Sequence, residues 1–284
     1  MTWQFYIIIS VILYAISVIL QRLILKENES HPIAYSAFFQ LVTGLLIGIA
    51  GFAFGKMQLP DFSTLPWFNL ILMVFLYGFA NVFIFKSLKQ IESSNFTIIF
   101  ATRSLFTILA SSLLIRETLN ITQWLGALMI FSGVVLVSRK ASKFSFSKGE
   151  VFALLGAIGF GIGNSNDKYI LNFMQLYPYV SIAFIAPAIL IYLIYYQEAK
   201  QVKMFLNKSV LSKILLLCVI YAVSSITFYI ALQDGDNSSQ LAAVNLTSVI
   251  ITVLLGVIFL KERENVAKKI IGALLSFAGL LLVS

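Results

Sequence analysis

Arg103 stands inside an apolar run, Ile98-Ile99-Phe100-Ala101-Thr102-Arg103-Ser104-Leu105-Phe106. A guanidinium there is too far from either end of the run to reach water easily. At such depth a charge costs from about 2.5 to above 10 kcal/mol, so it is expected to face a protein interior or a water-filled cavity. Its planar fork suits a carboxylate or a phosphate. A structural ion pair, or a bridge to carbonyls of a neighbouring helix, is the competing reading. A partner is available in Asn164-Ser165-Asn166-Asp167-Lys168, a polar run that follows Gly156, Gly159, Gly161 and Gly163. Polar groups at depth are tolerated where they are enclosed by protein or line a cavity, so the run is expected to interrupt a lipid-facing helix and to put Asn164 and Asp167 on a cavity wall. Alternatively the helix ends at Gly163 and the run is a surface loop.

Weaker candidates are polar and aromatic groups in other apolar runs: Tyr14, Gln40, Tyr77, Asn81, Tyr221, Ser225, Asn245 and Ser248. Asn81 and Asn245 are costly to bury unpaired, so each is expected to hydrogen-bond. Bonding between adjacent helices is the plain reading for this group, and a wet cavity the functional one. Gly161, Gly163 and Pro187 are the hinge candidates; Pro187 lies well inside a run and should kink it. No phosphate-cradling loop, zinc spacing or nucleophile–base pair is present, so neither catalysis nor a cofactor or metal is expected.

The elements that must position these groups are membrane helices. Hydrophobic residues make up 60% of the 284 and charged residues 11%, against about 45–50% and about 25% in soluble domains. Ten runs approach the roughly 20 apolar residues of a span. They are 3–25, 33–54, 65–85, 93–115 and 121–138, then 151–173, 178–196, 210–232, 238–260 and 266–283. Backbone groups in lipid must be satisfied within each run, which makes them helical. The single cysteine, Cys218, excludes a disulfide framework, and the net charge of +8 resides in the connections rather than in a nucleic-acid patch. The first run carries no cleavage signature and is expected to be retained as a span.

The chain repeats itself at about 145 residues. Ser93-Ser94-Asn95 recurs as Ser238-Ser239-Gln240, Arg116-Glu117 as Lys261-Glu262, and Gly126 to Gly133 as Gly272 to Gly279. Five spans per copy turn the second copy over, so residues 1–140 and 148–284 are expected to form two inverted five-helix repeats with a site between them. Sixteen Lys and Arg fall on one side of this topology and three (Lys56, Arg116, Lys168) on the other. The richer side should be cytoplasmic, which puts both termini outside.

The matching segments Leu113 to Ser138 and Ile258 to Ser284, each a Glu-bearing turn followed by Gly-Ala-Leu and a second Gly seven residues after the first, resemble the drug/metabolite transporter superfamily, specifically its EamA-like members. The resemblance implies a carrier of ten helices. Helices 1–4 and 6–9 would line a central cavity, and helices 5 and 10 would lie at the periphery. It also implies cytoplasmic termini, opposite to the charge bias, and Tyr14 stands where many members have a Trp-Gly pair.

The expectation is therefore an all-α polytopic protein of the plasma or inner membrane. It would be a secondary transporter exporting a small polar or amphipathic metabolite, an amino acid or related compound, by alternating access. A broad multidrug exporter and a non-transporting scaffold are the alternatives. Expected partners are the small-molecule substrate and the lipid bilayer, with a coupling ion and a homodimer left open, and no nucleic acid.

Overall fold

The computed structural model describes residues 3–27, 31–58, 60–115, 121–140, 143–144, 146–234 and 247–283. Six helices precede the midpoint: α1 (Trp3–Glu27), α2 (Pro32–Ala53), α3 (Trp67–Gln90), α4 (Ser93–Phe100), α5 (Arg103–Ile115) and α6 (Ile121–Ser138). A two-residue antiparallel pair, β1 (Arg139–Lys140) with β2 (Lys143–Phe144), links them to the rest. Then come α7 (Lys148–Ile170), α8 (Leu176–Ile194), the short α9 (Tyr196–Ala199), a 3-10 turn (Lys200–Leu206), α10 (Lys208–Asp234), α11 (Thr247–Phe259) and α12 (Val266–Val283). Among the described residues, α1, α2, α3, α8 and α10 are long and apolar enough to cross a membrane, and α6 and α11 contain shorter apolar helices.

Two sequence expectations are corrected. The run 93–115 is not one helix but breaks between α4 and α5. Thr102 donates both its amide and its Oγ1 to the carbonyl of Ile99, and Ser104 and Leu105 bond three residues back. Such tight turns, fed by a side chain that competes for backbone carbonyls, bend or stop a helix. The polar run 164–168, in contrast, interrupts nothing: α7 continues through it to Ile170. Its side chains bond to facing helices and leave the backbone ladder intact. Asn166 exchanges bonds with Asn69 of α3, and Ser165 donates to the carbonyl of Thr107 of α5. A capping box of Ser147 and Glu150 fixes where α7 begins.

Small residues set the helix crossings. On α2, added Cβ atoms at Gly44 and Gly51 would meet Ile185 and Tyr177 of α8 at 2.7 and 2.9 Å, and Ser181 donates to the Gly44 carbonyl. α6 and α12 cross at their paired glycines: a Cβ at Gly133 would lie 2.7 Å from the Gly272 carbonyl, and one at Gly279 2.6 Å from that of Gly126. Their outer faces, with Trp124, Leu128, Ile271 and Leu274, are exposed. The other principal contacts join α1 to α10, α3 to α7, α5 to α7, α1 to α11 and α4 to α11. The connection after α9, polar in sequence, buries Phe205 completely against Tyr35 and Phe38 of α2. That aromatic cluster packs the connection bearing Lys200 and Lys203 onto α2.

The candidate substrate cavity

A cavity with about 750 Å³ of open space lies between α1, α3, α5, α7, α8 and α10. Tyr14 comes from α1, Tyr77 and Asn81 from α3, Arg103 from α5, Asn164 from α7, and Tyr221 and Ser225 from α10. Seven of the sequence candidates thus meet in one place. A narrow recess adjoins it, sharing Tyr14, Asn81, Arg103 and Tyr221 and reaching Gln21 and Phe96. By helix register, Ser10, Asn164, Ser225 and Tyr229 fall in the halves of their helices away from the lysine-rich connections, Tyr14, Arg103 and Tyr221 fall near the middle of their spans, and Asn81 and the recess lie on the lysine-rich side.

Arg103 is the charged residue of this lining, half-buried at the start of α5. The break after α4 is what brings it there. The α7 glycines let α5 come close, since a Cβ at Gly161 would meet the Arg103 carbonyl at 2.5 Å. Thr107 ties the two helices by donating to the Gly161 carbonyl at 3.0 Å. The guanidinium sits over the ring of Phe100 at 4.8 Å and that of Tyr14 at 5.6 Å. Cation–π contacts of this kind contribute about 0.5–2 kcal/mol. Among the described residues no carboxylate lies within ion-pair distance of Arg103, so the suggested pairing with Asp167 is not made.

Asp167 has other partners. It is 3% exposed, and its Oδ2 accepts from the hydroxyls of Tyr77 at 2.5 Å and Tyr229 at 2.8 Å. Its Oδ1 accepts from the hydroxyl of Tyr179. The carboxyl group thus stands behind the cavity wall, reached through Tyr77 and Tyr229, which line it. The ring of Tyr77 fits against Gly163, where a Cβ would fall 2.7 Å from it. Tyr179 and Tyr229 escaped the sequence reading. The signal was present, since a phenol in an apolar run needs a partner, but nothing in the spacing joined either to Asp167.

Gln40 lies outside the lining. It is fully buried and accepts from Asn81 at 3.0 Å, while Asn81 also donates to the Tyr77 carbonyl. These bonds hold α2, α3 and the cavity wall in register. Ser248 is buried on α11, away from the lining. Asn245 lies outside the described residues. Pro187 is accommodated within α8, facing Gly78 of α3. Ser10 and Ser224, bonded to each other's carbonyls across α1 and α10 at 2.9 Å, complete the polar wall.

At the opposite end, Glu262 ties the α11–α12 turn to α4. Its Oε1 accepts from the amide and hydroxyl of Ser93 at 2.7 and 2.9 Å, and its Oε2 from those of Ser94 at 3.0 and 2.5 Å. Lys269 joins the same cluster, on the Glu262 carbonyl at 2.9 Å and on the Glu92 carboxylate at 2.5 Å.

The chain matches the model of the EamA-like transporter family over residues 1–139 and 147–284. It is similar to the uncharacterized transporter YdfC of Bacillus subtilis (strain 168), 24% identical over 128 residues. That alignment takes in 45% of this chain and 41% of the relative, so it spans less than half of that protein's length. A solved crystal structure has the same fold over 99% of this chain and 95% of its own, with a TM-score of 0.66 at 19% identity. Matched in two blocks over nearly its whole length, and built of apolar helices around a cavity with polar side chains on its wall, the protein is a multi-pass membrane protein and belongs to the EamA-like transporter family.

Proposed function

We propose that this transporter is a secondary carrier for a small polar or amphipathic metabolite with a carboxylate, an amino acid or related compound, which it exports across the plasma or inner membrane by alternating access. The observation that carries the reading is Arg103, a guanidinium on a cavity wall with no carboxylate of the described chain beside it. A half-buried cation at membrane depth with no counter-charge is costly, and a substrate carboxylate held by its planar fork would lower that cost. Tyr14 and Phe100 flank the guanidinium and would present apolar faces to the rest of the ligand. A multidrug exporter would need a carboxylate free to meet a cation, whereas Asp167 is enclosed by three hydroxyls.

The reading includes ten spans in two inverted repeats, 1–140 and 148–284. Helix pairings support it. The contact of α1 with α10 has its counterpart in that of α7 with α3, and α2–α8, α4–α11 and α6–α12 each pair equivalent helices of the two halves. The charge bias puts the lysine-rich end in the cytoplasm, so the cavity would be open to the outside here and the Glu262 end closed. Inverted halves can exchange conformations, which supplies the inward-open state.

A melting-shift screen of purified protein against carboxylate metabolites, followed by uptake into proteoliposomes, tests the proposal. Arg103→Ala should remove both the shift and the uptake while the protein inserts and melts normally, and Arg103→Lys should retain little. Unchanged uptake by a well-expressed Arg103→Ala protein would refute it.

A further inference from the structure

Among the described residues, Asp167 is a buried carboxylate beside the cavity that substrate capture by Arg103 leaves without a task. We propose that Asp167, with Tyr77, Tyr179 and Tyr229, is a proton-binding site whose occupancy rearranges the wall of the substrate cavity. This rests on the carrier reading and adds the coupling ion to it.

The geometry is that of a carboxylate held by hydroxyls alone. Oδ1 takes one donor, from α8, and Oδ2 takes two, from α3 and α10. No described cation pairs with it. The titratable and charged groups on the surrounding elements are few. α3 offers Tyr77, with Lys86 and Lys89 two to three turns further on. α5 offers Arg103, which faces the cavity; α4 has none; α8 offers Tyr179, with Tyr177 turned toward α2. α10 offers Tyr229 and Tyr221, with Cys218 buried against Phe39 of α2, Lys208 and Lys213 at its start, and Asp234 as its last residue, five positions after Tyr229. On α7 itself Lys168 follows in sequence, and Lys148 and Glu150 begin the helix, about 25 Å away at 1.5 Å per residue.

A hydronium ion in the cavity gives up a proton, breaking one of its O–H bonds and leaving water, and an O–H bond forms on Oδ2; no other covalent bond changes. Oδ2 then becomes a donor and needs an acceptor, and the Tyr77 oxygen is 2.5 Å away. The Tyr77 hydrogen must turn elsewhere. Asn164 Oδ1 lies 3.5 Å from that oxygen, on the cavity wall. Protonation thus passes a hydrogen bond from a hidden carboxylate to a side chain the substrate can touch. It also removes a negative charge behind the wall, so an anionic group beside Arg103 is held more tightly. By linkage, binding such a group favours uptake of the proton to the same degree, so proton and substrate would move together, and net export would be driven by an outward-directed gradient of the substrate or the proton.

Infrared difference spectra of the purified protein test the site with the proton as the only ligand. On lowering the pH, wild type should gain a carbonyl band of a protonated carboxylic acid that is missing from Asp167→Asn. In Tyr77→Phe and Tyr229→Phe, which lose a donor to the charged form, the band should appear at higher pH. These variants keep the test decisive if Asp167→Asn fails to fold. No band dependent on Asp167, or one indifferent to both tyrosines, overturns the proposal. In proteoliposomes, Arg103-dependent uptake of a carboxylate metabolite that ignores an imposed pH gradient overturns the coupling and leaves the carrier standing. The band without uptake of any compound overturns the carrier and leaves the proton site.

Discussion

Glu262→Gln should destabilise the protein more than any other single-atom exchange at its surface turns. Glu262 is 5% exposed and accepts four hydrogen bonds, two of them from the first amides of α4. Those amides have no partner within their own helix, and Glu92 at the N-cap supplies no side-chain bond to them. Glutamine retains one oxygen, enough for Ser93 or for Ser94. The other serine's amide then faces an NH2 group, donor against donor. One buried N–H left unsatisfied costs about 1–3 kcal/mol, and the lost charge at the helix start adds about 0.3–1 kcal/mol, up to about 2 when partly buried. With the charge at the helix start contributing about 1 kcal/mol, the sum is about 2–4 kcal/mol. At roughly 2–4 °C per kcal/mol for chains of comparable size, melting in detergent should fall by roughly 5–15 °C. Glu264, two residues on and exposed, is the control: Glu264→Gln should stay within about 0.5 kcal/mol of wild type. Equal melting of the two variants would refute the reasoning.

Gly256→Ala should have the same effect, because its Cβ would lie 2.7 Å from both Glu262 Oε2 and Ser94 Oγ. Combined with Glu262→Gln it should add little to the melting loss, since both remove one interaction. Reporter fusions after Ser284 should read as extracytoplasmic and fusions within 141–147 as cytoplasmic; the opposite pattern would overturn the charge argument. On a Cys218-free background, cysteines at Asn81 and Ser225 should react with a water-soluble reagent from both sides, in proportions that substrate alters. Labelling from one side, unmoved by any ligand or gradient, would favour a channel or a scaffold.

Apolar run length made most of the helices legible, and repeat matching picked out the glycines at which α6 and α12 cross. The convergence of Tyr14, Tyr77, Asn81, Arg103, Asn164, Tyr221 and Ser225 was legible because polar groups in apolar runs have few places to go. Three features were not. The turn at Ala101–Thr102 depends on a hydroxyl competing for one carbonyl, and hydropathy does not register that. The continuity of α7 depends on partners from α3 and α5 that satisfy its polar run, so a local reading saw an interruption. The grouping of Tyr77, Tyr179 and Tyr229 around Asp167 draws on four helices, and no spacing along the chain encodes it. Glu262 was visible as half of a repeated motif, but its seat on Ser93 and Ser94 joins residues 169 and 168 positions apart.

The two ends of the molecule are unequal. The Glu262 bridge and the Phe205 cluster pack one of them, and on the proposed reading that end is the closed one. A carrier must undo the closed end on each cycle, so the bridge cannot be arbitrarily strong. Moving an equilibrium from 1:99 to 99:1 takes about 5.5 kcal/mol of differential binding. A bridge contributing about 2–4 kcal/mol is within reach of a ligand held by Arg103, assisted by coupling of the usual 1–3 kcal/mol from a second site. The same figures make Glu262 more than a staple. If the bridge holds one end shut, Glu262→Gln should raise labelling at position 81 from the lysine-rich side by roughly thirty- to seven hundred-fold, at about 1.4 kcal/mol per decade. A protein that melts earlier but labels as before would mean that the bridge stabilises both states alike, and that the closed end opens somewhere else.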